Sequence, residues 1–469
     1  MNDSNIKIHK EKINPFLLVM LTLFIVIVVG SILLFFDYAF KHGWSNLSFE
    51  DYINSFLISV SATCVTGLTS YKDGILNAYS RFGQTVIMIL IQIGGLGFLT
   101  VLAFLITLFA GKLKFKDRHF ISQIVGSNSV AHVGKFVKKI ILISFVCELL
   151  GFLAGLPVFF NLYPNDVSTA LFTSLFHSVS SFNNAGCDIL GSTSLIANEA
   201  TSILYNQPIW VTTYLEILTM ILIILGGLGF LVIAEIFTFK KPKQWSAFTK
   251  IVLSTTAFLL GTGFILFVAT ECFKGESSMT PLQALFQSVT CRTAGFATYD
   301  QANLSMGGKV ISSILMFVGG SPLSTAGGIK TTTIFMIILA MFSYLRGKRV
   351  AAFKRVFSSK QVIRAMSLAF ISLFAILICY CGIYLIEDSV LTNEVPTGDI
   401  FFEVFSAFGT TGLSANLTPD LHWGSKLILC ILMFLGRLGP MTLFSIFSKN
   451  IDKEDDSHFK YVQSDILIG

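Results

Sequence analysis

Four short segments of the chain are suited to bring backbone carbonyl oxygens around one axis. Each ends in glycine after two uncharged residues, and none contains Asp or Glu. The segments are Val65-Thr66-Gly67, Asn184-Ala185-Gly186, Thr293-Ala294-Gly295 and Thr410-Thr411-Gly412. Glycine readily adopts the conformations that turn carbonyls inward, and its missing side chain leaves room there. Because neutral carbonyl oxygens can replace the hydration shell of a cation, whereas rings of carboxylates suit divalent-cation channels, we predict a path for a monovalent cation.

The composition around these segments predicts an integral membrane protein. Of 469 residues, 53% are hydrophobic and 13% are charged, which is less charge than the surface of a soluble chain of this length carries. Apolar runs of about 20 residues, enough to cross a bilayer, recur along the sequence. Examples are residues 16–36, 85–110, 140–160, 211–237, 251–268 and 367–386. The cysteines lack metal-ligand spacing and are interpreted as buried thiols, and no cleavable signal peptide is predicted.

Basic residues predict the topology and divide the chain. Most Lys and Arg residues lie in five segments: 7–12, 112–139, 240–250, 346–364 and 449–460. The positive-inside rule places these segments and both termini in the cytoplasm, and their position at helix ends favours topology over nucleic-acid binding. They delimit four units, residues 1–111, 112–245, 246–348 and 349–469. Each unit must cross the membrane an even number of times.

The four units have the same internal order, which indicates a repeat. An apolar helix, a short amphipathic segment, one glycine segment and a second apolar helix follow one another. A glycine cluster marks the second helix of each unit at residues 94–98, 226–230, 319–322 and 436–440. We therefore predict an all-α integral membrane fold of four helix–re-entrant pore loop–helix repeats around a central pore. It has eight spanning segments and four pore helices.

The predicted pore helices cover residues 52–63, 168–182, 281–291 and 400–408. They are too short to span the bilayer, so they suit half-crossing, re-entrant helices. Thr280 before Pro281 is a plausible N-cap, and Asp166 and the pair Thr397 and Asp399 offer further side-chain acceptors. The negative ends of the helix dipoles then point toward the glycine segments.

The second helix of the third unit is predicted to be broken. Its central stretch contains four glycines, one proline and three hydroxyl residues. The residues expected to form a gate there are Gly319, Gly320, Ser321, Pro322, Ser324, Thr325, Ala326, Gly327, Gly328 and Lys330. A regular helix is improbable through this composition, and irregular backbone at membrane depth is buried in protein or lines water. We predict an intramembrane gating loop, with an ordinary kink as the alternative.

Charged residues within the apolar segments are candidates for function because burying them in a membrane is costly. Arg437 is predicted to contact carbonyls or hydroxyls of the gating loop and to raise a barrier to cations. Lys330 either joins it or reaches the cytoplasm. Arg292 is expected to point behind the third glycine segment and bind neighbouring loops, with Glu148 and Glu216 as possible ion-pair partners.

The glycine segments and their fourfold arrangement resemble the Trk/Ktr/HKT superfamily of potassium transporters over nearly the whole chain. The short N-terminus and bare repeats are most similar to the bacterial Ktr-type ion-conducting subunit. This resemblance implies filter glycines at Gly67, Gly186, Gly295 and Gly412. Because some sodium-preferring plant members have Ser at the first position, Gly67 implies potassium selectivity. The resemblance also implies a gating loop in the third repeat with Arg437 beside it.

The same resemblance implies partners and a location. A homodimer in the bacterial plasma membrane is expected, with a pore in each protomer and residues 460–469 at the interface. A cytosolic nucleotide-binding regulatory subunit is expected to dock on the basic loops. Potassium is the expected substrate, sodium is a candidate activator, and no covalent cofactor is expected.

Other functions remain as alternatives at this point. An intramembrane hydrolase would need a partner for His177, and no carboxylate has an interpretable spacing from it. A receptor or scaffold would need larger loops. A less selective sodium- and potassium-conducting protein of the same superfamily is a closer alternative, and the sequence does not separate channel-like conduction from sodium-coupled transport.

Overall fold

The computed structural model describes residues 15–41, 48–97, 133–191, 194–196, 202–238, 241–273, 275, 278–390 and 396–439. Several predicted features lie outside these ranges. They are the basic segments 7–12 and 449–460, most of the basic segment 112–139, the boundary between residues 111 and 112, residues 98–110 of the apolar run 85–110, the last residues of the glycine clusters 94–98 and 436–440, residue 240 of the basic segment 240–250, and the tail 460–469.

Helices account for most of the described residues. In chain order they are α1 (Pro15–Phe35), α2 (Phe49–Cys64), α3 (Gly74–Ala78), α4 (Arg81–Leu96), α5 (Val133–Leu162), α6 (Val167–Asn183), α7 (Ile209–Leu228), α8 (Phe230–Ile236), α9 (Ala247–Glu271), α10 (Pro281–Thr290), α11 (Met306–Phe317), α12 (Thr331–Leu345), α13 (Ser359–Val390), α14 (Thr397–Gly409) and α15 (Trp423–Leu438). Strands β1 (Ala351–Ala352) and β2 (Arg355–Val356) pair as an antiparallel hairpin between α12 and α13.

Length and apolarity identify candidate membrane spans among these helices. Helices α5, α7, α9 and α13 are long and apolar enough to cross a membrane, and α1, α4, α11 and α12 are shorter apolar helices. Many of their large side chains face outward, including Phe370 at 75% exposure. The prediction of a mostly helical membrane protein with several apolar spans is confirmed.

The four short helices that precede the glycine segments, α2, α6, α10 and α14, are the most buried parts of the fold. They contain 10 to 17 residues, fewer than the roughly 20 that span a bilayer. Leu57, Phe176, Phe286 and Phe402, one from each helix, are at most 1% exposed. Each short helix therefore lies inside a shell formed by the other apolar helices.

Capping explains where three of the short helices begin. Thr280 and Gln283 form a capping box at α10, and Asp166 accepts a hydrogen bond from Thr169 N at 3.0 Å. Ser48 and Asp51 form a second capping box at α2, which the sequence analysis missed.

The cap expected at the fourth short helix is wrong. Helix α14 begins after Pro396 without a side-chain cap, so Thr397 is already its first helical residue. Asp399 forms an ion pair with Lys309 of α11 at 2.5 Å instead. A helix start can still gain from Asp399, because a negative charge in the first turn interacts favourably with the dipole.

One packing contact recurs in three of the four units. A serine in the short helix donates to a carbonyl of the preceding long helix, and the same serine faces a glycine of that helix. The bonds are Ser59 Oγ to Ile27 O at 2.7 Å, Ser178 Oγ to Glu148 O at 2.6 Å and Ser288 Oγ to Leu260 O at 2.8 Å. The facing glycines are Gly30, Gly151 and Gly263. The fourth unit has Val404 two residues before Ser406, where the other units have this serine.

The glycine clusters of the second helices are imposed by close backbone approach. Gly94, Gly226 and Gly436 lie against the carbonyls of Thr63, Phe182 and Phe408 near the ends of the short helices, and a Cβ there would come closer than 3.0 Å. Helices α4, α7 and α15 end where Gly97, Gly229 and Gly439 take positive φ angles of 78°, 90° and 76°. In the second unit α8 follows directly after Gly229, so the helix break predicted for the third unit has a smaller counterpart there.

Candidate ion pathway

The backbone of the four glycine segments follows one pattern. The first residue of each has a positive φ, with 59° at Val65, 60° at Asn184, 68° at Thr293 and 49° at Thr410. The φ angle of each segment's glycine is positive as well, with 100° at Gly67, 64° at Gly186, 79° at Gly295 and 87° at Gly412. Positive φ is unusual for a β-branched residue. Its recurrence at equivalent positions indicates strain that the surrounding structure holds in place.

The four segments contact one another in a closed cycle. A Cβ on Gly67 would meet Ala185 O, one on Gly186 would meet Ala294 O, one on Gly295 would meet Thr411 O, and one on Gly412 would meet Thr66 O. Each approach would be shorter than 3.0 Å, a separation that real Cβ atoms essentially never show. The four carbonyls that precede the glycines therefore lie side by side, each against the next unit.

Residues near the ends of the short helices hold these segments. The Thr66 and Thr411 amides donate to the carbonyls of Ser61 and Ser406. The hydroxyls of the same two serines accept hydrogen bonds from the Gly67 and Gly412 amides at 3.0 Å. In the second and third units the hydroxyls donate instead. Ser180 Oγ binds Cys187 O at 2.5 Å, and Thr290 Oγ1 binds Phe296 O at 2.7 Å. The segments are thus fixed mainly by their own unit's helix.

A cavity of about 460 Å³ opens beside the four glycines. Its lining includes Gly67, Gly186, Gly295 and Gly412 together with Lys72, Asp188, Asp300 and Asp420. Lys72 pairs with Asp420 at 2.5 Å, which leaves the carboxylates of Asp188 and Asp300 in excess. We call this space the vestibule.

Asp188 is a half-buried carboxylate of the vestibule. It follows the second glycine segment, and its Oδ1 accepts a hydrogen bond from Leu190 N at 3.1 Å. Burial raises the pKa of its carboxyl to about 6. The charge of the vestibule therefore changes in a mildly acidic range.

The segment between α11 and α12, residues 318–330, lies at the other end of the glycine segments. We call it the intramembrane loop. A Cβ on Gly327 would strike Thr410 Oγ1, and one on Gly328 would lie 3.4 Å from Gly409 O. The loop also folds on itself, since Val318 and Ile329 form a parallel bridge and Thr331 N donates to Gly320 O at 3.1 Å. The predicted break of this helix is present as a closed loop.

The second unit supplies much of the loop's backbone support. Ser321 N donates to Gly227 O at 3.0 Å, and Phe230 N donates to Leu323 O at 3.0 Å. Thr325 Oγ1 donates to Phe182 O near the end of α6 at 3.3 Å. The break between α7 and α8 frees these backbone groups, so the loop of one unit fills the break of another.

Three cationic side chains bind carbonyl oxygens of the loop. Arg437 donates to Thr325 O and also to Gly94 O of α4. Lys330 Nζ donates to Ala326 O at 2.7 Å. Arg292, which is 8% exposed, donates from Nη2 to Gly319 O at 3.3 Å. Arg292 therefore bonds the loop from the side of the third glycine segment, and Arg437 bonds it from the fourth unit.

The expected pairing of Glu148 with an arginine is not observed among the described contacts. Glu148 accepts hydrogen bonds from Gln92 at 2.9 Å, Ser144 at 3.0 Å and Asn183 at 3.0 Å. Asn183 is the last residue of α6, directly before Asn184. This polar network behind the second glycine segment was missed by the sequence analysis. Its one signal was the presence of Gln92 and Glu148 within apolar helices.

His177 occupies a packed position in α6. It lies between Phe159 and Phe296 with ring centroids 5.7 and 5.3 Å away, and its Nε2 is 2.9 Å from Thr219 Oγ1. Its described surroundings contain hydroxyl and aromatic groups, which do not form a catalytic triad.

Comparisons with known proteins agree with this architecture. The TrkH family model, described as a cation transport protein, matches residues 9–460. The chain is 34% identical to the potassium/sodium uptake protein NtpJ of Enterococcus hirae, over 98% of each chain. It is also 34% identical to the Ktr system potassium uptake protein B of Bacillus subtilis, over 95% of each chain. The crystal structure of the potassium transporter TrkH from Vibrio parahaemolyticus matches with a TM-score of 0.69 at 18% identity, covering 94% of this chain and 86% of that one. The resemblance inferred from the glycine segments is confirmed.

Proposed function

Since this chain belongs to the TrkH family of cation transport proteins, a family of transporters and not of enzymes, we propose that it carries potassium into the cell. In this proposal the chain is the pore-forming subunit of a Ktr-like system in the plasma membrane, with both termini in the cytoplasm. The units 1–111, 112–245, 246–348 and 349–469 surround one central path. Potassium is the transported substrate.

The closed cycle of glycine segments carries the proposal. Four carbonyls, those of Thr66, Ala185, Ala294 and Thr411, lie side by side without a carboxylate in the segments. Such neutral oxygens can replace the hydration water of a monovalent cation that must bind and then leave. The vestibule offers the ion an entrance with excess negative charge, which raises the local cation concentration.

The intramembrane loop is the proposed gate of this path. It lies against the fourth glycine segment at Thr410, and Arg437 and Arg292 bind it from two sides. A cation beside an ion path opposes the passage of other cations. Release of the loop, with movement of Arg437, would lower that barrier.

Sodium and protein partners complete the proposal. NtpJ is named for potassium and sodium, so a protein that conducts both ions is the second candidate, with sodium as substrate or activator. Relatives are parts of named Ktr systems, which supports a cytosolic nucleotide-binding regulatory subunit. We also propose a homodimer.

Complementation of a bacterium deficient in potassium uptake tests the proposal. The wild-type chain, expressed with and without a candidate regulatory subunit, should restore growth at low potassium, and Gly295→Ala should abolish the rescue. Gly261→Ala is the matched control, because a Cβ at this position of α9 has open space around it. Failure of well-inserted wild-type protein to rescue, with the subunit present, would refute potassium uptake.

Purified protein in proteoliposomes separates the candidate ions. Potassium influx that is unchanged by external sodium indicates conduction of potassium alone. Influx that needs sodium, or comparable sodium flux, supports the second candidate.

A further inference from the structure

The connection between α12 and α13 is strongly basic. Residues 346–364 include no Asp or Glu, and their basic residues are Arg346, Lys348, Arg349, Lys354, Arg355, Lys360 and Arg364. The first five of these side chains are exposed. Within the part of the chain that the structure describes, none of those five forms an ion pair. We call residues 346–358 the basic hairpin.

The tip of the basic hairpin has an unusual conformation. Phe353 and Lys354 connect β1 and β2 and both have positive φ, 49° and 62°. Two-residue hairpin turns of this kind normally use Asn or Gly, because other side chains are strained there. Strained backbone that persists at a surface is a reason to look for a binding role.

Apolar side chains accompany the basic ones. Tyr344 is 87% exposed, Leu345 is 73% exposed and Val356 is 67% exposed, and Phe353 at the tip is also exposed. Basic and aromatic residues mixed in this way are typical of the membrane–water interface, where rings and aliphatic groups enter the headgroup layer beside cationic side chains.

The length of α12 also places the basic hairpin at the membrane–water interface. Its 15 residues extend about 22 Å at 1.5 Å per residue. Helix α12 starts at Thr331, directly after the intramembrane loop. Half of the hydrocarbon core measures about 15 Å, so a helix that starts near the middle brings Leu345 to the headgroups.

We propose that the basic hairpin is a binding surface for anionic phospholipid headgroups. The negative surface of a membrane attracts basic segments next to a spanning helix, and the exposed Tyr344, Leu345, Phe353 and Val356 fit a lipid surface better than bulk water. A cytosolic protein bound at the same place is the competing outcome of the tests below.

Lipid binding at the basic hairpin acts on the intramembrane loop through α12. One rigid helix joins the two, and its first residue is bound to the loop through Thr331 N and Gly320 O at 3.1 Å. Headgroups that hold the hairpin therefore bias the position of the loop. This second step rests on the proposed function, whereas lipid binding itself does not.

Binding is tested with the full-length protein in detergent, titrated with phosphatidylglycerol or phosphatidylcholine and followed by native mass spectrometry. The variant Arg349→Gln/Lys354→Gln/Arg355→Gln should bind phosphatidylglycerol at least about tenfold more weakly, because each basic residue near an anionic surface contributes about a fivefold factor. The control Lys138→Gln/Lys139→Gln/Lys241→Gln removes three exposed charges elsewhere on the predicted cytoplasmic side and should bind phosphatidylglycerol at least about fivefold more tightly than the hairpin variant. Equal losses in both variants, or no loss in the hairpin variant, would overturn the proposal. A hairpin variant that loses only its binding of the regulatory protein would overturn it as well.

Potassium flux in proteoliposomes tests the second step. Wild type and control should respond to replacement of phosphatidylcholine by phosphatidylglycerol, and the hairpin variant should not. A response of all three proteins would refute the action on the loop while leaving potassium transport intact. Absence of potassium flux from all proteins, with lipid binding preserved, would refute the proposed function and not the lipid surface.

Discussion

The glycine segments and the intramembrane loop are both irregular backbone deep in the molecule, but they are held in opposite ways. The four segments repeat one backbone pattern, and residues of their own short helices bind them. Among the described residues the loop is found in the third unit, and groups from two other units bind it, Gly227 of the second and Arg437 of the fourth, together with Arg292 of its own unit. Ion selection requires equivalent oxygen atoms around an axis, whereas gating requires one asymmetric element that can move out of the ion path.

The two regions should therefore tolerate different substitutions. We call the closed cycle of the four glycine segments the ring. Its packing depends on every segment, because each glycine faces a carbonyl of the next unit. The loop depends on a few charged side chains that bind carbonyl oxygens. Substitutions in the ring should abolish transport, while substitutions at the loop should release it.

The largest effect is expected from the ring. Alanine at Gly67, Gly186, Gly295 or Gly412 should lower potassium uptake by about 100-fold or more in each case, since it combines positive-φ strain with overpacking. Measured as rubidium influx, the four variants should be similar. Gly191→Ala is an informative control, because Gly191 has a φ of 127° but open space around it. A large loss in only one unit would contradict the equivalence of the four segments.

Arg437→Gln should raise flux in the absence of a regulatory subunit by about tenfold, because it removes a charge and its bonds to the loop. Resting rubidium flux in proteoliposomes measures this effect at equal protein insertion. Arg437→Lys separates the causes, since it keeps the charge but not the fork that reaches both Thr325 O and Gly94 O. Unchanged resting flux in Arg437→Gln would rule out its role as a barrier.

Arg292→Gln should have a smaller effect, about threefold, since its single bond to Gly319 O is longer than an ideal hydrogen bond. Its combination with Arg437→Gln tests whether the two arginines hold one element. If they do, the increases in resting flux should be non-additive. Independent, multiplying effects would show that the two side chains act on different parts of the path.

The local elements of the ring were predictable from sequence. The starts of α6 and α10 follow from Asp166 and Thr280, because capping depends on neighbours a few residues away. A further signal went unused: Ser61, Ser180 and Ser406 each stand six residues before the glycine of their segment, and Thr290 stands five before Gly295. These hydroxyls hold the segments.

Contacts between residues far apart in the chain could not be predicted from patterns of neighbouring residues. Asp399 was expected to cap α14 but binds Lys309, 90 residues away. Likewise, Glu148 joins Asn183 and Gln92 through side chains that are adjacent only after the helices pack. The break in the second helix of the third unit was predicted from its composition. Its anchoring in the break at Gly229 depends on how two units are arranged in space, which the sequence pattern does not give.

The smallest predicted effect is a pH dependence that arises in the vestibule. With its pKa raised to about 6, the Asp188 carboxylate is mostly ionised at pH 7.5 and mostly neutral at pH 5. The apparent KM for potassium should rise by about two- to threefold over this fall in pH, because the entrance loses negative charge. Lys72, Asp300 and Asp420 share the cavity, and Tyr163 interacts electrostatically with Asp188 as well.

Asp188→Asn isolates this carboxylate. The variant should show the higher KM at both pH values and lose most of the pH dependence of uptake. Asp166→Asn is the matched control, since Asp166 lies outside the vestibule lining and asparagine also caps helices well. If Asp188→Asn keeps the wild-type pH dependence, another group controls the entrance. The vestibule would then be a passive funnel, and the fourfold ring alone would set the affinity for the ion.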